Sequence, residues 1–336
     1  MLSSRPIATH ERWFVDSHEG GDWSFAASPL VLTLLAAVVA ATLVWRFIAL
    51  RLPTPELSML RPLQRLTPWI PRLLGIHLGV ALLALAATGG FLTPAVDPGD
   101  GLVGSALLLV EAIVGIWLIT GVKLRQAAFA LVLTGPALAV LAGPMALLES
   151  ANLVAVAGFL LVLPPGPDAH GAVEPDDPAD RARLRVALLV LRVGVATALV
   201  ALAFAEKLTN PHMARETLAT YPQLDVFAWL GLEVAPDTFV AIAGAIEVLF
   251  GLLVLSGALP QVATLVAAVP FNLSLLLFGQ TELIGHLPVY GVFLALLVYG
   301  SDPRTARMVR WIPRVGVLAR MAQPARRLSP SRAGAA

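Results

Sequence analysis

Residues 28–50 read SPLVLTLLAAVVAATLVWRFIAL, 23 positions with a single charge, Arg46, near the far end. At 1.5 Å per residue such a helix is about 34 Å long, enough to cross the ~30 Å hydrocarbon core of a bilayer. The residues before it are polar and aromatic (His10, Glu11, Arg12, Trp13, Asp16, Asp22), and the run carries no small-residue cleavage site. It therefore reads as a retained helix and not as a signal peptide. Similar stretches follow near 71–92, 102–121, 126–145, 148–164, 186–207, 238–257, 260–279 and 284–301. Each falls within the roughly 17–25 apolar residues that a span requires. Composition agrees: 57% of the chain is hydrophobic, 13% is charged and the mean hydropathy is +0.80, against about 25% charged residues in soluble domains. The sequence predicts an all-α polytopic transmembrane helix bundle of about nine spans, with the lipid bilayer as its partner.

Other classes are excluded early. There is no cysteine, hence no disulfide relay, iron–sulfur ligation or Cys-type zinc site. A formal net charge of +1 gives no ground for nucleic acid. Gly135-Pro136 and Gly143-Pro144 interrupt the fourth and fifth spans, and a proline at that depth needs neighbouring protein to satisfy the freed carbonyls. Residues 55–68 mix Arg61 and Arg65 with leucines, the pattern of a segment lying along the membrane surface.

Charge placement predicts orientation. With nine spans, one side collects five basic residues from Arg46 to Arg72, then Lys123 and Arg125, four from Arg181 to Arg192, and eight from Arg304 onward. The other side holds only Arg5, Arg12, Lys207 and Arg215. By the positive-inside rule the N-terminus is outside and the C-terminus cytoplasmic, as expected for a multi-pass protein of the cell membrane.

The two halves read as copies. Glu111 precedes Gly115 and Gly121 by the offsets at which Glu247 precedes Gly251 and Gly257. Glu149 precedes Gly158 as Glu282 precedes Gly291, and the second and sixth spans open with Arg72 and Arg192. Leu92-Thr93-Pro94 also resembles Leu208-Thr209-Asn210-Pro211. Four spans repeat in the same order, which predicts two parallel four-helix repeats. The expected division is an N-terminal segment with the first span (1–70), a diverged first repeat (71–163), a Pro- and Asp-rich linker (164–185), a second repeat (186–302) and a basic tail (303–336).

The second half resembles the DoxX-like family of small membrane proteins. The resemblance rests on Leu191-Arg192-Val193-Gly194 running to Glu206-Lys207-Leu208 and Pro211, on Leu230-Gly231-Leu232 leading to Glu247 and Gly251 through Gly257, and on the last two spans. It implies a four-helix unit and a membrane subunit of a redox system, with quinone as a possible cofactor and a redox protein as partner. The tandem arrangement and the extra first helix depart from that pattern.

The residues suggest where chemistry would sit. Glu247 lies deep in its span, and a charged side chain there costs roughly 2.5–3.5 kcal/mol, so it faces the bundle interior. It is read either as a proton-relay or ligand carboxylate or as a packing group. Glu282 and His286 are four apart and share a helical face; imidazole titrates near neutral pH, so with Glu247 they are the candidate proton-exchanging set. Glu206, Lys207 and Asn272 are the candidate ligand-binding residues, with 212–236 as a lid. The spacing of Glu206, Glu282 and His286 is weak for a metal, so none is assigned. The bland alternative is an interfacial Glu–His pair with a snorkelling lysine. His77, alone on an apolar helix, reads as a packed residue. The first half has Thr88 and Gly89 where the second has Glu206 and Lys207, so the site is expected in the second half alone. A lipid-like ligand bound between the repeats by a transporter or scaffold is the competing function.

Overall fold

The structure, a computed structural model, describes residues 21–163 and 177–313. The N-terminal segment with His10 and His18, most of the predicted linker and the tail beyond 313 lie outside the described residues, among which all regular structure is helical. After a short α1 (Trp23–Ala26) come α2 (Pro29–Ala49), a 3₁₀ segment (Ser58–Trp69), α3 (Ile70–Thr88) and α4 (Leu102–Thr120). There follow α5 (Leu124–Val132), α6 (Gly135–Ala142), α7 (Pro144–Glu149) and α8 (Ala151–Val162). The second half holds α9 (Pro178–Leu202), α10 (Pro211–Thr220), α11 (Val226–Trp229), α12 (Pro236–Ser256), α13 (Pro260–Phe278), α14 (Gln280–Ser301) and α15 (Ala306–Val309).

Helix ends follow local chemistry. Ser28 caps α2, its hydroxyl accepting from the Val31 amide, and Asp177 caps α9 through the Ala179 amide; proline follows each cap at the first helical position, where its missing N–H is no loss. Among the described residues eight helices are long and apolar enough to cross a membrane, counting α5–α6 as one and joining the 3₁₀ segment to α3 and the turn Ala203–Leu208 to α9. The exposed apolar side chains of α2, such as Leu43 and Phe47, have lipid as their natural solvent.

The fifth predicted span is corrected. It is two helices, α7 and α8, meeting at Ser150. The 12 residues of α8 cover only about 18 Å, yet α7 and α8 together return the chain to the end where α5 began, since Arg125 donates to the Leu163 carbonyl. Gly143, at a φ of 85°, turns the chain before α7.

The two halves share backbone detail. Gly121 and Gly257 close α4 and α12 in the left-handed region (φ 74° and 62°), and two residues later Lys123 and Leu259 are left-handed as well (φ 51° and 47°). Non-glycine residues seldom adopt that conformation, so its recurrence at matching places identifies one turn used twice. Gly143 and Gly279 then end the third helix of each half, again with positive φ. Arg72 and Arg192 each lay a guanidinium against the left-handed glycine, where a Cβ would collide. Arg192 is 1% exposed and donates to the Val309 and Trp311 carbonyls.

Packing between halves is reciprocal: the last helix of each half lies along the first of the other, α8 on α9 and α14 on α3. Small residues allow both approaches, Gly194 against Ala155 and Gly291 against His77. His77 gives its Nδ1 to the Leu73 carbonyl at 2.8 Å, the packed role expected of it. Outside the repeat, α2 lies on α12, with Trp45 Nε1 donating to the Ala258 carbonyl and Arg46 to that of Ser256, both at 2.8 Å.

Candidate functional site

At the end of the bundle away from Gly121 and Gly257, helix ends from both halves enclose a cavity of about 350 Å³. Most of its wall is apolar, including Leu85, Leu199, Leu202, Phe239, Phe250 and Phe271. The polar lining is Thr93, Glu149, Ser150, Asn152, Glu206, Glu247, Ser274, Glu282 and His286.

Glu206 reaches the cavity through a change of helix type. The end of α9 passes into a π-helical turn, Ala203–Leu208, closed by the Thr209 amide and hydroxyl, both on the Phe204 carbonyl at 2.8 Å. Such turns are rare and recur at functional sites. The turn sets Lys207 between two carboxylates: its Nζ is 3.0 Å from Glu247 Oε1 and 3.5 Å from Glu206 Oε2. Glu206 is 1% exposed. An ammonium that partners two acids removes much of the penalty each would carry in an apolar surround.

Glu282 and His286 lie one turn apart at the start of α14, with Nδ1 of the ring 3.3 Å from the carboxylate. Phe271 of α13 meets the imidazole edge to face, centroids 4.7 Å apart. The ring thus has an acid on one side and an aromatic on another. Pro270 and Pro288 break the amide ladders of α13 and α14 at the cavity wall.

Four of the sequence-predicted residues, Glu206, Glu247, Glu282 and His286, line the cavity, and Lys207 joins two of them. Asn272 does not take part. It follows Phe271, a residue that lines the wall, and one helical step turns it away; it is exposed and its amide returns to the Ala268 carbonyl at 2.7 Å. Of 212–236 only Leu224 and Val226 reach the cavity. The α10 helix packs on the bundle through Met213 and Thr217 and is clasped by Arg215 to Asp237 at 3.1 Å.

The expected confinement to the second half is also corrected, because Ala81, Leu85, Leu92, Glu149 and Asn152 of the first half line the same space. Glu149 and Asn152 line the cavity without being among the residues the sequence singles out for it. The signal for Glu149 was present, since its spacing to Gly158 equals that of Glu282 to Gly291; Asn152 offered none. Among the described residues no three His, Asp or Glu side chains are set to hold a metal ion.

The fold defines a multi-pass helical membrane protein. No family model matches the chain, nor does any curated protein or any solved structure.

Proposed function

We propose that this chain binds a small apolar molecule with a proton-exchanging head group, of the quinone class, between its two halves, as the membrane subunit of a redox system. The observation that carries the reading is the position of Glu282 and His286 in the wall of a largely apolar 350 Å³ cavity. Ligand pockets of about 300–1,000 Å³ combine apolar walls with a few placed polar groups in this way. With Nδ1 of His286 turned to Glu282, Nε2 is the nitrogen through which the ring gives or takes a proton at a ligand carbonyl. The Glu206–Lys207–Glu247 group offers a second polar contact. The DoxX-like resemblance supports a redox partner protein, and the distribution of basic residues supports insertion in the cell membrane with the N-terminus outside and the cavity facing outward.

The test is ligand binding by purified protein in nanodiscs, using a short-chain benzoquinone as probe. His286→Ala is expected to abolish binding with little change in thermal stability, while His77→Ala changes stability at most. Loss of stability and binding together in His286→Ala would make the pair structural. Quinone binding that survives His286→Ala and Glu282→Gln would favour the competing reading, a transporter or scaffold whose ligand needs no proton exchange. That reading draws on the cavity's place between two repeats.

A further inference from the structure

A second, smaller space adjoins the cavity on its first-half side. It measures about 50 Å³, runs between α5, α6, α7 and α8, and shares Leu92, Ser150 and Leu153 with the main cavity. The partition between the two is therefore one layer of side chains. On the far side the crevice reaches the bundle surface, where Val132 is 39% and Val154 is 50% exposed. In a membrane that surface meets hydrocarbon.

The crevice lies where helices are interrupted. The chain breaks between α5 and α6 at Leu133–Thr134, and between α7 and α8 at Ser150. Among the described residues Thr134 and Ser150 are its only polar lining, and the Thr134 hydroxyl is committed to the Leu131 carbonyl at 2.6 Å. Gly135 lines it with no side chain, and a Cβ there would meet only Leu147, at an ordinary 3.9 Å. On the partition side, Leu92 is held at a φ of 61° by the Glu111 carboxylate, which accepts its amide at 3.0 Å.

We propose that this crevice takes the hydrocarbon tail of the molecule whose head occupies the main cavity, so that the ligand is a long-chain amphiphile reaching its site from the bilayer. The inference rests on the proposed ligand reading and adds the class of tail and its path, past Leu92 and Leu153. A water-sized group needs roughly 10–15 Å³ on this measure, so the crevice holds a few carbons and the rest of the chain remains in lipid. Its role is steric. Lipid is already as apolar as the crevice, and the tail gains little by transfer; a filled crevice would instead keep a tailed molecule from seating its head.

The experiment uses the full chain in nanodiscs and two benzoquinones with the same head, one bearing a single isoprene unit and the other eight, both dosed by mole fraction in the bilayer. Gly135→Leu should weaken the long-chain probe about tenfold, the scale of an overpacked site, and leave the short-chain probe unchanged. Val154→Trp, at the exposed rim, should give the same selectivity if Gly135→Leu fails to fold. Equal weakening of both probes, or no change for the long one, overturns the tail path while leaving the cavity reading intact. Binding of the short-chain probe without the long one also overturns the tail path alone, and failure of both probes to bind the unaltered protein overturns the cavity reading, and the tail path with it.

Discussion

The two halves place a glutamate ten residues before the same left-handed glycine and then use it differently. In the first half α3 and α4 cross backbone on backbone, and a Cβ on Gly79 would stand 2.5 Å from the Gly115 carbonyl oxygen. Glu111, 1% exposed, accepts the Leu92 amide and so fixes the loop that follows α3. In the second half side chains hold α9 and α12 further apart, and a Cβ on Gly251 would meet Val200 Cγ2 at 3.0 Å and the Ala196 carbonyl at 3.2 Å. There α9 unwinds into a π turn and Glu247 faces an ammonium beside a cavity. One framework thus yields a tight pair whose acid closes a wall and a looser pair whose acid borders an open space.

The largest effect is expected at the tight crossing. Gly115→Leu must push two backbones apart, because the nearest atoms are the Gly79 carbonyl at 2.8 Å and the Leu83 amide at 3.1 Å. The expected loss is about 3 kcal/mol or more, seen as loss of a monodisperse peak on size exclusion after mild heating. The same change at the other crossing, Gly251→Leu, should be milder, since the closest neighbour there is the end of a valine side chain. Equal damage at both positions would mean that the halves are equally tight.

The Lys207 group comes next. Lys207→Met takes the ammonium away from Glu206 and Glu247, and breaking a buried pair in this way costs about 3–5 kcal/mol. The lower end is expected, because the Glu247 side chain keeps 31% exposure. Adding Glu247→Gln should recover part of the loss in a double-mutant cycle read by thermal unfolding. Strict additivity of the two changes would show that the 3.0 Å contact carries no coupling.

The helices were legible from apolar length alone, because a bilayer leaves a spanning segment little choice of structure. The Glu–Gly spacing was legible too, and both instances end in the same left-handed turn. The break at Ser150 was not, since Ala151–Val162 is as apolar as any span and only the glycine–proline pairs nearby hinted at interruption. Glu206, Glu247, Glu282 and His286 could be picked out because ionisable groups stand out against apolar helices. Which way each faced could not always be read, as Asn272 illustrates one step beyond Phe271. The contribution of the first half to the cavity was hidden because most of it is made by leucine and alanine, residues that look the same in a wall as in a core.

The smallest expected effect sharpens the comparison best, because it separates an acid used as a charge from one used as an acceptor. If Glu111 serves only to receive the Leu92 amide, Glu111→Gln keeps a carbonyl oxygen of the same shape in the same place and should change stability by less than about 1 kcal/mol. Glu111→Ala removes the acceptor, leaves a buried amide without a partner and should cost about 1–3 kcal/mol. Hydrogen exchange at the Leu92 amide reads the difference directly: slow in the unaltered protein and in Glu111→Gln, fast in Glu111→Ala. The counterpart change, Glu247→Gln, takes away the closer of the two carboxylates beside Lys207 and should alter ligand binding more than stability. Were Glu111→Gln to free the Leu92 amide as fully as Glu111→Ala, the negative charge itself would be the holding force, and the two glutamates would be more alike than their partners suggest.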